Sequence, residues 1–219
     1  MMTELIPLLL EGTGETVAMV SLSLFFAVLL GLPAGVVLAV SKPDGIVPRK
    51  RVRAILGWTV DTMRSIPFVI LMMLLIPFSR FVVGTSIGTV GAIVPLAIAA
   101  APFVARVVEA ALAELPPTLI ETVVAMGATP WQIVRKVYLV EALPILVRQI
   151  PIVAIALLGS SAMAGAAGGG GLGDIAIRYG YYNYRTDVML VTILILIVLV
   201  EAIQIASNAI ARRIDRRLR

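Results

Sequence analysis

The stretch Thr16–Val40, TVAMVSLSLFFAVLLGLPAGVVLAV, runs for 25 residues without a charged side chain. About 20 consecutive apolar residues are enough for a helix to cross the hydrocarbon core of a bilayer. Phe81–Ala105 and Gln149–Gly173 are equally long and equally free of charge, and Val188–Ala211 carries only Glu201. These stretches predict membrane-spanning helices rather than the core of a soluble domain.

The composition agrees with a membrane protein and narrows the function. The chain has 219 residues, of which 60% are hydrophobic and 14% are charged, against about 25% charged residues in an ordinary soluble domain. It contains no cysteine and no histidine. Disulfides, thiolate nucleophiles and histidine acid–base chemistry are therefore excluded, which argues against a stand-alone hydrolase or metalloenzyme.

A fifth span is less clean, because Asp61 and Arg64 lie between the apolar stretches Ile55–Val60 and Ser65–Ser79. We predict an all-α integral membrane protein with a single domain over residues 1–219. Its five transmembrane helices are expected at about 16–40, 57–79, 87–108, 148–166 and 188–210.

The basic residues set the expected orientation. With five crossings, 14 of the 18 lysines and arginines fall on one side, and three, Arg80, Arg178 and Arg185, fall on the other. Cytoplasmic loops carry the excess of basic residues, so we expect the N-terminus outside and the C-terminus in the cytoplasm. The basic tail could bind nucleic acid, but we favour its anchoring on membrane lipid, with no nucleic-acid partner. The tail residues are Arg212, Arg213, Arg216, Arg217 and Arg219.

The long loop between spans three and four, about 115–144, carries signals for two helices. Thr118 with Glu121, and Thr129 with Gln132, have the spacing of capping boxes. Gly127 between them can end a helix in the left-handed conformation. We predict a helix over 119–126, a glycine elbow, and a second helix over 130–142, with Pro144 opening span four. The apolar residues of the elbow suit either the membrane surface or the groove of a partner.

A family resemblance decides between these two alternatives. Glu121, Gly127 and Leu139 have the spacing of the EAA loop of ATP-binding-cassette (ABC) importer permeases, the motif that docks on the ATPase. The sequence departs from that pattern at Thr122, Val123, Val137 and Val140. The stretch 168–174, followed by Ile177–Tyr181 and Thr186–Met189, resembles the bacterial methionine importer permeases in particular. Thr62–Pro67 is similar to the start of span two in the family as a whole.

The resemblance implies a permease subunit in the cytoplasmic (inner) membrane of a bacterium that translocates methionine, both L and D, by alternating access. The expected partners are a second copy of the chain, two cytoplasmic ABC ATPase subunits and an extracytoplasmic methionine-binding lipoprotein. The permease itself would be non-catalytic and without a cofactor, because ATP and Mg would bind the ATPase. Permeation of another amino acid or small polar substrate remains the alternative.

Three groups of residues follow as candidates for function. Coupling to the ATPase is assigned to Glu121, Ala125, Gly127, Ala128, Thr129, Trp131, Arg135 and Lys136. The translocation pathway or gate is assigned to Ser160, Ser161 and Met163, with ordinary helix packing as the alternative. Contact with the binding protein is assigned to Gly170, Gly171, Tyr181 and Tyr182, in a flexible external loop, although tyrosines also favour the membrane interface.

Two patterns need a separate interpretation. Gly168, Gly170 and Gly173 fit G-x-G-x-x-G, but they follow a membrane span instead of a strand, so no nucleotide site is expected. Asp61 with Arg64, and Arg106 with Glu109, are expected to form ion pairs within one helix.

Glu201 lacks a local partner, and it either faces the bundle interior or is protonated. In a stand-alone secondary transporter, the rival class, Glu201 would be the proton site. A non-transporting membrane assembly subunit is the third class considered.

Overall fold

The computed structural model describes residues 2–214 of the chain, with side chains over 5–213. Arg216, Arg217 and Arg219 of the basic tail lie outside the described residues. The described backbone is helical, with α1 (Met2–Val40), α2 (Lys50–Ser65), α3 (Phe68–Leu74), α4 (Ile76–Val83), α5 (Gly88–Ala113), α6 (Pro117–Ala125), α7 (Pro130–Ile133), α8 (Leu139–Ala164), α9 (Gly171–Ile175) and α10 (Thr186–Ile214). Three π-helical segments, Val134–Tyr138, Gly165–Gly169 and Ala176–Tyr182, connect some of these helices.

Four stretches within the described residues are long and apolar enough to cross a membrane by themselves. They are Leu5–Val40, Gly88–Ala113, Pro130–Gly169 and Thr186–Arg213. The fifth crossing is the pair α2 and α3, which is bent by 103°. The five-span prediction is confirmed, and the span predicted at about 57–79 is broken between Ser65 and Phe68. Ile66 precedes Pro67 and is extended (φ −78°, ψ 124°), because the proline ring disfavours the helical conformation of the residue before it.

α1 and α5 form the centre of the fold and run parallel. Ser23 donates a hydrogen bond to the carbonyl of Ile93 near one end of the pair. Gly35 lies against the backbone of Ala105 near the other end. Because α1 and α5 run in the same direction, the chain between them must return to its starting face. The bent α2–α4 segment therefore makes a full crossing.

The close approach of α1 to α5 depends on two glycines one turn apart. A Cβ atom on Gly31 would lie 2.5 Å from the carbonyl oxygen of Ala101, and one on Gly35 would lie 2.5 Å from that of Ala105. In membranes, where the hydrophobic effect does not bring helices together, small residues allow the close packing that holds them. Val104 and Val108 of α5 are buried at the same interface.

The stretch that contains span four begins much earlier than expected. Residues Pro130–Gly169 form one helical stretch of 40 residues, kinked near its end at Ala167 and Gly168, which we call the long rod. At 1.5 Å per residue it extends about 60 Å, twice the thickness of the hydrocarbon core. The prediction that a second helix ends at 142 and that Pro144 opens span four is wrong. Pro144 and Pro151 both lie inside the rod. Membrane helices tolerate the loss of the backbone hydrogen bond that each proline removes.

Candidate functional site

The loop between α5 and the long rod forms a compact elbow on one face of the molecule, which we call the elbow face. α6 ends at Ala125, Met126 caps it, and Gly127 follows with φ +80°. The amide of Gly127 donates to the carbonyl of Val124 (2.9 Å), and the amide of Ala128 donates to that of Val123 (3.3 Å). These two bonds close the end of α6 in the way that a left-handed glycine permits. The predicted glycine elbow is confirmed.

One of the two predicted capping boxes is present. The Thr129 hydroxyl accepts a bond from the amide of Gln132 (3.4 Å), and the Gln132 side chain accepts one from the amide of Thr129 (2.9 Å). The box predicted from Thr118 and Glu121 is wrong. α6 begins at Pro117, so Thr118 already lies inside the helix and its carbonyl accepts a bond from the Thr122 hydroxyl. Proline is favoured at the first helical position, and it sets the start two residues earlier than predicted.

The elbow has a buried side and an exposed side. Ile133 and Tyr138 are buried in the main core, and Ile120, Val123 and Val137 pack against it. This packing fixes the elbow to the transmembrane helices. A force applied to the elbow is therefore passed to the transmembrane helices, because the elbow cannot move independently of them.

The exposed side of the elbow carries large apolar side chains. Met126 is 80% exposed, Trp131 is 69% exposed and Val124 is 49% exposed. Apolar side chains clustered at an exposed turn, with an aromatic among them, are typical of a docking surface. The remaining predicted coupling residues lie on the same elbow or just after it, and all are exposed or half-buried: Glu121, Ala125, Gly127, Ala128, Thr129, Arg135 and Lys136.

Glu121 does not act as a helix cap. It lines a cavity of about 180 Å³ between the elbow and the connection from α1 to α2, together with Lys42, Asp44 and Tyr138. Glu121 therefore lies close to the first loop of the chain. A role in positioning the elbow against that loop fits this place better than the capping role expected from the sequence.

Near the elbow face, four charged side chains join three helices. Arg106 donates to Asp61 (2.6 Å) and to Glu109 (2.6 Å), and Arg53 donates to Glu109 (3.0 Å) and to the carbonyl of Leu38. The predicted pair of Arg106 with Glu109 is confirmed. The predicted pair of Asp61 with Arg64 is wrong, because the partner of Asp61 comes from α5. The network ties α2 to α5 and to the end of α1.

The glycine-rich segment lies on the opposite face, which we call the glycine face. The amide of Gly171 donates to the Glu15 carboxylate (2.6 Å), and the amide of Leu172 donates to the Thr16 hydroxyl (2.9 Å). Gly171 and Gly173 are buried, so the expected flexible external loop is wrong for this part. The segment packs on α1 because its glycines admit the backbone closely. Gly170 is half-buried, while Tyr181 and Tyr182 are exposed and contact each other edge to face.

The three residues predicted for the pathway have different surroundings. Ser161 is buried and donates to the carbonyl of Leu158 (2.8 Å). Met163 is exposed. Ser160 is half-buried and lines a cavity of about 400 Å³. The sequence did not indicate that cavity, since its walls come from α2, α3, α5 and α8. Glu201 lies on the exposed side of α10 and not in the bundle interior.

Comparison with known proteins identifies the family. Residues 31–219 match the family described as binding-protein-dependent transport system inner membrane component. The chain is 48% identical over 210 residues to the probable D-methionine transport system permease protein MetI of Vibrio cholerae, covering 96% of this chain and 93% of that protein. It is 53% identical over 158 residues to the D-methionine transport system permease protein MetI of Escherichia coli K12, covering 72% and 73%. This chain therefore belongs to the inner membrane components of binding-protein-dependent transport systems.

The solved structures agree with that assignment. A chain in an inward-facing crystal form of the MetNI methionine ABC transporter is 50% identical and superposes with a TM-score of 0.95, covering 97% of this chain and 99% of that one. An amino acid ABC transporter crystallised with histidines shows the same fold at 21% identity and a TM-score of 0.78. The resemblance carried by Glu121, Gly127 and Leu139 is thus confirmed. The chain is a multi-pass permease of the cytoplasmic membrane.

Proposed function

We propose that this chain is the membrane-spanning permease subunit of an ATP-driven methionine importer. The observation that carries the proposal is the elbow, whose apolar exposed side is held rigidly on the transmembrane core. The curated relatives are named for D-methionine transport, and the similar solved structure is a methionine ABC transporter. A stand-alone secondary transporter has no use for such an elbow.

The proposed assembly contains two copies of this chain, two cytoplasmic ATPase subunits and an extracytoplasmic methionine-binding lipoprotein. The elbow face is assigned to the cytoplasm because the first and third loops and the tail carry most of the basic residues. Trp131 and Met126 would enter a groove of the ATPase, with Arg135 and Lys136 beside its acidic residues. ATP and Mg would bind in the ATPase, so this chain would catalyse no chemical step.

On the glycine face we assign contact with the binding protein to Tyr181 and Tyr182, which are exposed, and to the half-buried Gly170 beside them. Gly171, which is buried against α1, would support that surface without touching the partner. The pathway would lie between the helices, with Ser160 on its wall. Ser161 and Met163 would shape the adjoining helix, Ser161 through its bond to the preceding turn.

The test is uptake of labelled methionine by cells that lack the chromosomal copy of this chain. Restoration of uptake by the wild-type chain, with an ATPase that co-purifies, is the expected result. Uptake that is not restored while the ATPase still co-purifies would keep the permease and reject methionine as its substrate. Loss of both uptake and co-purification would reject the importer and favour a carrier that works alone.

A further inference from the structure

Arg64 takes no part in the network of ion pairs formed by Arg53, Asp61, Arg106 and Glu109. Its neighbour Asp61 binds Arg106 instead, and within residues 5–213 no carboxylate lies within ion-pair distance of Arg64. The Arg64 guanidinium carbon lies 5.8 Å from the centre of the Phe103 ring, an arrangement that holds a cation in place without neutralising it. Arg64 therefore keeps its charge free for another partner.

The Arg64 side chain lines a cavity of about 400 Å³. That volume lies within the range of about 300–1,000 Å³ that is typical of small-molecule sites. The walls are mostly apolar, and the two polar side chains in them are Arg64 and Ser160. The apolar side chains that line the cavity include Met63, Phe68, Leu71, Leu96, Phe103 and Leu157.

The cavity lies about half-way along the membrane-spanning helix α5. Its α5 wall runs from Leu96 to Phe103, and this stretch is centred in the spanning helix Gly88–Ala113. A charged side chain at that depth is costly, and it usually marks a pathway for an ion or a substrate. Transporters commonly place their substrate sites near the midplane, where helices are broken. The break at Ile66 and Pro67 forms part of this cavity.

We propose that this cavity is a substrate site in which Arg64 binds the α-carboxylate of a zwitterionic amino acid with a flexible apolar side chain. The guanidinium can form two parallel hydrogen bonds to one carboxylate. The apolar walls take the side chain, and the Ser160 hydroxyl offers a further polar contact. The inference rests on the proposed import function and adds the residue that selects for a carboxylate.

The absence of cysteine in the chain allows a direct test on the assembled transporter. A single cysteine is placed at Ser160, and in a second variant at Ala156, which lines the same cavity. Modification of this chain is followed with an anionic sulfonatoethyl and a cationic trimethylammonium-ethyl methanethiosulfonate reagent. Each variant is made with Arg64 and with Arg64→Gln. Ser86→Cys, in the loop before α5, is the control outside the cavity.

The expected result is that Ser160→Cys reacts faster with the anionic reagent. Arg64→Gln should lower the anionic-to-cationic rate ratio by at least about tenfold, because one guanidinium attracts the anion and repels the cation across the cavity. The ratio at Ser86→Cys should not change. Saturating methionine should slow the reaction at Ser160→Cys, whereas methioninol, which lacks the carboxylate, should not.

Three results would overturn the inference. They are equal rate ratios with and without Arg64, protection by methioninol equal to that by methionine, and no reaction at either cavity position. Methionine uptake by the wild-type transporter is measured in the same preparation. Uptake together with unchanged rate ratios rejects only the role of Arg64, whereas absence of uptake rejects the import function itself.

Discussion

Replacement of Gly127 tests whether the backbone geometry of the elbow matters for coupling. Gly127 has φ +80°, and no atom lies within 4 Å of the place a Cβ would occupy. The cost of a side chain there is therefore conformational and not a clash with neighbours. An L-residue in the left-handed region costs about 1–2 kcal/mol. If the backbone at position 127 instead moves out of the left-handed region, it loses the hydrogen bonds from the amides of Gly127 and Ala128 that close α6.

We expect Gly127→Val to reduce ATP-driven methionine uptake in proteoliposomes about 5–30-fold, the factor that corresponds to 1–2 kcal/mol. Insertion and thermal unfolding of the chain should change little, because the elbow tip is exposed. Gly127→Asn should retain most of the activity, since asparagine tolerates the left-handed conformation.

The chain offers a matched control for this experiment. Gly84 ends α4 with φ +78°, and there too a Cβ would have no atom within 4 Å of it. Gly84→Val carries the same backbone cost at a site away from the elbow, and it should leave uptake near the wild-type rate. Equal losses from the valine variants at Gly84 and Gly127, or from asparagine and valine at Gly127, would refute the reasoning.

Three further predictions concern binding and stability. Trp131→Ala should weaken co-purification of the ATPase by at least about tenfold, as expected for an aromatic anchor, with the unfolding temperature unchanged; retained co-purification would contradict the docking role. Gly35→Ala should lower the unfolding temperature, because its Cβ would lie 2.5 Å from a backbone oxygen of α5, whereas Gly14→Ala, with open space on the same helix, should not. Glu109→Gln should lower the free energy of unfolding by about 3 kcal/mol, since it leaves two guanidinium groups without their shared carboxylate. Asp61→Asn, which changes an exposed carboxylate, should lower it by under about 1 kcal/mol. Chemical denaturation measures both values.

Local signals in the sequence predicted the elbow well. The predictions of a capping box at Thr129 and of a left-handed Gly127 were correct, because each depends only on residues close together in the chain. The bend at Ile66 follows from an equally local rule, since a residue before proline avoids the helical region, but it was not predicted. The start of α6 was predicted wrongly, because Thr118 was taken as the helix cap although Pro117 occupies the first helical position.

Tertiary relations could not be read in the same way. Asp61 and Arg64 have the spacing of a helical ion pair, but Arg106 reaches Asp61 from 45 positions away in the chain. A spacing rule lists the pairs that are able to form within one helix, and the packing of a second helix decides which one does. The cavity beside Arg64 was hidden for the same reason, because four separate helices form its walls.

The continuity of the long rod has a mechanical consequence. Its elbow end carries Trp131, while its middle packs against neighbouring helices at Val153, Ala154 and Leu157, which are buried. A rod that pivots at its middle moves its two ends in opposite directions. A stroke delivered at Trp131 would therefore swing the glycine face the other way. One motion would narrow one mouth of the passage as it widens the other, without a separate signal between them.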